Sequence, residues 1–155
     1  MMHKLAVAAT TFLVAGVAAG CGNDDKADSA DKPVPKAAFI TSADAICTKV
    51  DAGINEAATK LREQSEKSGT LPKQDVVKFF KSTSLPAYDD LARQLGALTP
   101  PKGDEETVDQ LISSLSSAID TVKADPRKFV SRTAADPFTD FNNRANAYGM
   151  KACGA

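Results

Sequence analysis

Apolar residues recur three or four positions apart along most of this 155-residue chain, and no convincing run alternates with the period-two pattern of a strand. In the first segment the successive steps are 4, 3, 4, 4, 3 and 4 residues, which puts the apolar side chains on one helical face. They are Phe39, Ala43, Ile46, Val50, Ile54, Ala57 and Leu61. We predict a helix that begins near Thr41 or Ser42, with Thr41 as its cap and Asp44 beside the free amides, and that stops at Ser68-Gly69.

The second segment begins after Pro72 and contains a proline within its helical pattern. Its apolar positions are Val76, Val77, Phe80, Tyr88, Leu91, Leu95 and Leu98. Pro86 lacks an amide donor and disfavours helical geometry at Leu85, so we expect a kink or short break around residues 82–86. The run of residues 99–103 contains two prolines and a glycine and predicts a firm turn.

The third segment has a clear start signal, with Asp104 as the expected cap and Glu105 and Glu106 in the positive first turn. Its stripe consists of Val108, Leu111, Ile112, Leu115, Ile119 and Val122. Asp125-Pro126 either ends this helix or opens a short turn that holds Phe129 and Val130.

The fourth segment starts with Asp136 as the expected cap and Pro137 at the first helical position, and Gly149 is its expected stop. Its stripe consists of Phe138, Phe141, Ala145 and Tyr148. Four amphipathic helices joined by short links predict an all-α domain over residues 38–155. The expected architecture is an antiparallel up-down-up-down four-helix bundle with a kinked second helix.

The N-terminus has the pattern of an export signal. Residues 1–4 carry one Lys, residues 5–20 are uncharged and apolar, and polarity rises at once after Cys21. Ala18-Ala19-Gly20-Cys21 resembles the lipobox of bacterial lipoproteins, although Ala18 replaces the usual large aliphatic residue. We predict a signal peptide over residues 1–20 and a lipidated, disordered tether over residues 21–37. The alternatives are a transmembrane anchor and simple secretion without lipid.

The chain has three cysteines, Cys21, Cys47 and Cys153. Lipidation of Cys21 would consume one and leave an even pair, as expected for an exported protein. In an up-down-up-down bundle the start of the first helix and the end of the fourth lie at the same end. Topology and an oxidising compartment therefore both predict a Cys47–Cys153 disulfide. The alternative is two unpaired, buried thiols.

The residue inventory excludes several kinds of chemistry after residue 20. His3 is the only histidine, so Ser-His and Cys-His catalysis and zinc sites that need His are excluded. The chain also has no Trp. No phosphate loop or dinucleotide fingerprint is present, and we expect no cofactor. Without Lys4, 18 Lys and Arg stand against 20 Asp and Glu, a net charge of −2 that argues against nucleic-acid binding.

Three polar clusters remain, and each also has an ordinary interpretation as a solvated helix face. Asp89-Asp90 with Arg93 do not converge on one helical face, so a simple Asp–Arg pair is favoured. Capping explains most of the acidic residues that would otherwise suggest a hard-cation site, namely Asp104, Glu105, Glu106 and Asp109. The last cluster is Asn142, Asn143 and Arg144. Tyr88 and Tyr148 are expected at the edge of the core with wetted hydroxyls.

Three motifs occur in an order that resembles a group of small, uncharacterised actinobacterial secreted lipoproteins. They are Phe39-Ile40-Thr41-Ser42-Ala43-Asp44-Ala45-Ile46-Cys47, Leu98-Thr99-Pro100-Pro101-Lys102-Gly103-Asp104-Glu105, and Asp136-Pro137-Phe138 followed by Tyr148-Gly149-Met150-Lys151-Ala152-Cys153-Gly154. The resemblance spans about residues 39–154. It implies paired cysteines and a helical fold, and it supplies no activity.

Together these features predict a non-enzymatic binding or interaction module on the extracytoplasmic face of the cell membrane. The lipid on Cys21 would bind the membrane, and the partner would be a protein or a small apolar ligand. The alternative is a structural accessory of the cell envelope, and a carboxylate-based hydrolase is disfavoured because no acids converge. The end of the bundle that holds the 68–72 and 125–136 links is the expected partner surface.

Overall fold

The computed structural model describes residues 33–130 and 135–155, and in these ranges the chain is helical without strands. Cys21, the signal peptide and most of the expected tether lie outside the described residues. The helices are α1 (Lys36–Ser68), α2 (Lys73–Phe79), α3 (Leu85–Gly96), α4 (Glu105–Ala124), α5 (Pro126–Val130) and α6 (Thr139–Tyr148). A π-helical turn, Phe80–Ser84, joins α2 to α3. None of these helices combines the length and apolar character that a membrane crossing needs.

Helix α1 begins at Lys36, five residues before the expected start, so the predicted start of this helix was wrong. The Pro35 carbonyl accepts the first backbone bonds, from the amides of Ala38 and Phe39. Thr41 therefore does not cap, and its hydroxyl donates to the Ala37 carbonyl within the helix at 2.9 Å. Ordinary helix-forming residues from Lys36 onward continue the helix upstream of the apolar stripe. Its predicted end is confirmed, because Gly69 adopts the left-handed conformation of a C-cap.

The break expected near Pro86 is confirmed, and it has the form of a π-helical turn. The Leu85 amide donates to the Phe80 carbonyl five residues earlier, where an α-helix would bond four residues back. The wider turn accommodates a proline ring that would otherwise press on the carbonyl four residues before it. The chain can therefore run from α2 into α3 without a loop.

The starts of α4 and α6 differ from the predicted capping. Asp104 occupies the N-cap position of α4, but its side chain makes no capping bond. Asp136 instead closes a turn, in which its Oδ1 accepts from the Phe138 amide at 3.0 Å, and α6 begins only at Thr139. The predicted stop at Gly149 is confirmed by its positive φ of 109°. The 126–130 turn expected after Asp125 is the short helix α5.

Burial divides the described chain into two regions. No side chain from residue 48 to residue 83 is buried, whereas buried residues recur throughout α3, α4 and α6. We call residues 52–83 the distal region and the disulfide-linked remainder the core region. The core comprises Phe39, Ala43, Cys47, Leu85, Leu91, Leu95, Val108, Leu111, Leu115, Ala118, Ile119, Val122, Phe138, Phe141, Ala145, Tyr148, Met150 and Cys153. In the core region α3 packs against both α1 and α4, and α4 also packs against α6.

Candidate functional site

The predicted cysteine pair is confirmed as a disulfide between Cys47 of α1 and Cys153, which follows α6. The two Cα atoms are 5.1 Å apart, although the residues are 106 positions apart in the sequence. Both cysteines are buried in the core. The cross-link therefore fixes the C-terminal turn against the first half of α1.

Asp44 holds the same turn in place through its carboxylate. Its oxygens accept from the backbone amides of Lys151 at 3.2 Å, Ala152 at 2.9 Å and Cys153 at 3.3 Å. The expectation that Asp44 would serve the N-terminal amides of its own helix was wrong, because α1 begins eight residues earlier. The carboxylate instead satisfies backbone donors more than 100 residues away and positions Cys153 beside Cys47.

A cavity of about 220 Å³ lies against the disulfide. Its lining consists of Cys47, Asp51, Tyr88, Leu91, Leu115, Phe129, Asp136, Phe138, Phe141, Asn142, Cys153 and Ala155. The rings of Tyr88 and Phe138 lie 4.7 Å apart between centroids, and Phe129 meets Phe138 edge-to-face at 6.2 Å. The cavity thus combines an aromatic wall with two carboxylates, a phenol and an amide.

The carboxylates of Asp51 and Asp136 both affect the pKa of Tyr88. Burial raises the pKa of Tyr88, and the charges of Asp51 and Asp136 raise it further, so the hydroxyl stays protonated. Burial also raises the pKa of Asp51. Asp51 was not among the predicted site residues. The available signal was its position four residues after Cys47, which places it on the same face of α1.

A larger and more open cleft lies in the distal region, between the second half of α1 and α2. Its volume is about 480 Å³, and its apolar side chains include Ala57, Leu61, Leu71 and Phe79. Leu71 is 44% exposed. Polar and charged groups surround them, namely Lys60, Gln64, Ser65, Ser68, Thr70, Asp75, Lys78, Ser82 and Thr83. The 69–72 link therefore borders this cleft. The link lies in the region that was expected to hold a partner surface.

Asp104 joins three elements instead of capping α4. The Tyr148 hydroxyl donates to its Oδ2 at 2.7 Å, and Lys36 Nζ lies 3.3 Å from the same oxygen. The hydrogen bond from Tyr148 is the main cause that lowers the pKa of Asp104; burial opposes it, and the bond and charge of Lys36 lower the pKa further. Burial and the bond to Asp104 raise the pKa of Tyr148. The Lys36 ammonium also lies 3.9 Å from the centre of the Tyr148 ring.

The other polar clusters are used in surface contacts. Arg93 pairs with Asp90, as predicted, while Asp89 accepts from Lys123 of α4 at 2.8 Å. Arg144 donates to Asp140 at 2.8 Å. Glu105 accepts from the Gly103 amide, whereas Glu106 accepts from Gln110. Across the described ranges, no three His, Cys, Asp or Glu side chains are grouped to hold a metal ion.

Comparisons with known proteins give no further identification. No family model, curated protein or solved structure matches the chain.

Proposed function

We propose that this chain is a bacterial lipoprotein whose helical domain is a binding module on the extracytoplasmic face of the cell membrane. In this proposal the chain is cleaved before Cys21 and anchored by lipid on that cysteine. The observation that carries the proposal is the Cys47–Cys153 disulfide, because such bonds persist in oxidising compartments. With this pair closed, Cys21 is the one cysteine left to explain.

We also propose that α1, the continuous segment 73–96, α4 and α6 form an antiparallel up-down-up-down bundle. Asp104 contacts both Lys36 and Tyr148, so the start of α1, the start of α4 and the end of α6 meet. In an up-down-up-down bundle, helices one and three start at the same end at which helix four finishes. The disulfide from the first half of α1 adds a second contact with the segment after α6.

The proposed binding surface is the distal cleft, and its proposed partner is another protein. An exposed apolar side chain, Leu71, projects among charged residues of both signs, including Lys60, Asp75 and Lys78. An apolar centre with a polar rim is the common composition of a protein interface. The sparse burial of the distal region leaves this surface free of competing intramolecular packing.

The binding proposal is tested by placing a photo-crosslinking amino acid at Leu71 on intact cells. The matched control carries the same amino acid at Thr107, an exposed position on α4. We expect a discrete protein adduct from position 71 and none from position 107. Equal adducts from both positions, or no adduct from either, contradict the binding surface. A deletion strain with a weakened envelope and no adduct would favour the structural accessory instead.

The anchor is tested separately with the Cys21→Ala variant. We expect this variant to lose incorporation of labelled fatty acid and to leave the membrane fraction, because the acyl chains supply the anchoring. A Cys47→Ala/Cys153→Ala variant is the control, since it removes two cysteines and retains Cys21. A Cys21→Ala variant that stayed in the membrane at the wild-type level would end the lipoprotein proposal.

A further inference from the structure

Among the lining residues that the structure describes, the cavity beside the disulfide has negative side chains and no positive one. Asp51 and Asp136 contribute carboxylates, and none of the described residues that line the cavity is a Lys or Arg. None of the ion pairs among the described residues includes Asp51, and burial is the one influence on its pKa. Elsewhere in these ranges, carboxylates such as those of Asp89, Asp90 and Asp104 have cationic partners.

Burial of an unpaired carboxylate disfavours its charged form, and the pKa of Asp51 is raised for this reason. Of the residues that line the cavity, Asp136 is exposed to solvent, while Cys47 and Leu115 are buried. One Asp136 oxygen accepts from the Phe138 amide, and the carboxylate retains further acceptor sites. Both carboxylates line the cavity and both act on Tyr88, so a positive ligand in the cavity would be attracted by two negative charges.

The rest of the lining is suited to an organic cation. Tyr88, Phe129, Phe138 and Phe141 line the same cavity with aromatic rings, and the faces of such rings attract ammonium groups. Two carboxylates fall short of the six to eight oxygens that calcium takes, and the rings cannot replace the missing ligands. The volume of about 220 Å³ is below the roughly 300–1,000 Å³ of pockets for drug-sized ligands.

We propose that the cavity bounded by Asp51, Asp136 and the Tyr88–Phe138 ring pair binds a compact organic cation with an ammonium group. The carboxylates balance its charge, the rings contact its methyl or methylene groups, and the Tyr88 oxygen can accept from an N–H donor. This site is separate from the distal cleft, and its occupancy depends neither on a protein partner nor on the lipid anchor.

The test is a calorimetric titration of the full mature chain in detergent micelles with tetramethylammonium chloride. Tert-butanol serves as a neutral ligand of similar shape, and sodium chloride and calcium chloride serve as inorganic controls. We expect saturable binding of tetramethylammonium and no saturable binding of the other three. Equal affinity for tert-butanol would contradict selection of a positive ligand by the carboxylates. Tighter binding of calcium would contradict selection of an organic cation by the aromatic rings.

Two Asp→Asn variants locate the site. Asp51→Asn should weaken tetramethylammonium binding about tenfold, because it removes the half-buried charge, whereas Asp109→Asn on the exposed face of α4 should leave binding unchanged. Ligand-induced shifts of the Tyr88 and Phe138 ring resonances in the wild-type chain provide a readout that needs no variant. Wild-type affinity in Asp51→Asn, or shifts confined to residues outside the cavity, would refute the proposal.

Discussion

Helix α1 passes through both regions, and its two halves are built from the same apolar pattern. In the core region Phe39, Ala43 and Cys47 are buried, whereas in the distal region Ile54 and Leu61 are only half-buried. The difference lies in the neighbours, because α3, α4 and α6 supply the core, while the distal half of α1 faces the short helix α2 across a cleft. An apolar stripe thus determines which face of a helix packs, and the number of partner helices determines how completely it is buried.

The largest expected effect comes from removing the cross-link of the core region. A Cys47→Ala/Cys153→Ala variant should lose up to about 4.7 kcal/mol of unfolding free energy, because the disulfide spans 106 positions and restricts the unfolded chain. Guanidinium unfolding of the mature chain measures this loss, and reduction of the wild-type protein is the control. A loss below about 1 kcal/mol would mean that the core region holds together without the bond.

The second prediction compares the same truncation in the two regions. Leu115→Ala should cost about 3–4 kcal/mol, because Leu115 is fully buried and leaves a cavity. Leu61→Ala removes the same atoms from a half-buried site beside the cleft, so its cost should be below about 1 kcal/mol. Urea unfolding of both variants measures the difference. Equal losses would show that the distal region is packed as tightly as the core.

The smallest expected effect is a change in the acid dependence of stability. The folded-state pKa of Asp104 is lowered, chiefly by Tyr148, so its contribution is complete above the unfolded pKa of about 3.9 and disappears as pH falls through the folded pKa. Tyr148→Phe should bring the two pKa values together and flatten the loss of stability below about pH 4. Urea midpoints at pH 7, 4 and 3 measure this slope.

Tyr88→Phe is the matched control, because the Tyr88 hydroxyl makes no bond to Asp104 and its removal should leave the slope at the wild-type value. A Tyr148→Phe variant with an unchanged acid slope would show that the hydrogen bond to Asp104 does not couple the three elements.

Local sequence signals predicted much of the fold. The helical stripes, the stops at Gly69 and Gly149, and the break before Pro86 depend on residues within one or two turns of each other, and all are confirmed. The cysteine pair was predictable for a different reason, because the expected topology and the expected export both led to it. The antiparallel order and the anchor at Cys21 remain proposals.

The contacts of individual acidic residues were not predictable from local sequence. Asp44 and Asp104 were both expected at helix starts, where carboxylates ordinarily bind free amides. Their partners lie across the fold, at the 151–153 amides and at Tyr148 and Lys36. The cavity was not predictable for the same reason, since Asp51, Tyr88 and Asp136 come together only when three segments pack. Spacing along one helix contains no information about such long-range contacts.

The position of the disulfide has a consequence for how the chain responds to proteolysis. Residues 48–152 lie within the loop that the bond closes, and this loop contains the whole distal region with its exposed 69–72 link. Such a link is the kind of site at which proteases cut first. A single cut there would leave two fragments that remain covalently joined and stay together until the bond is reduced. The distal region can therefore be cut once without either fragment being released.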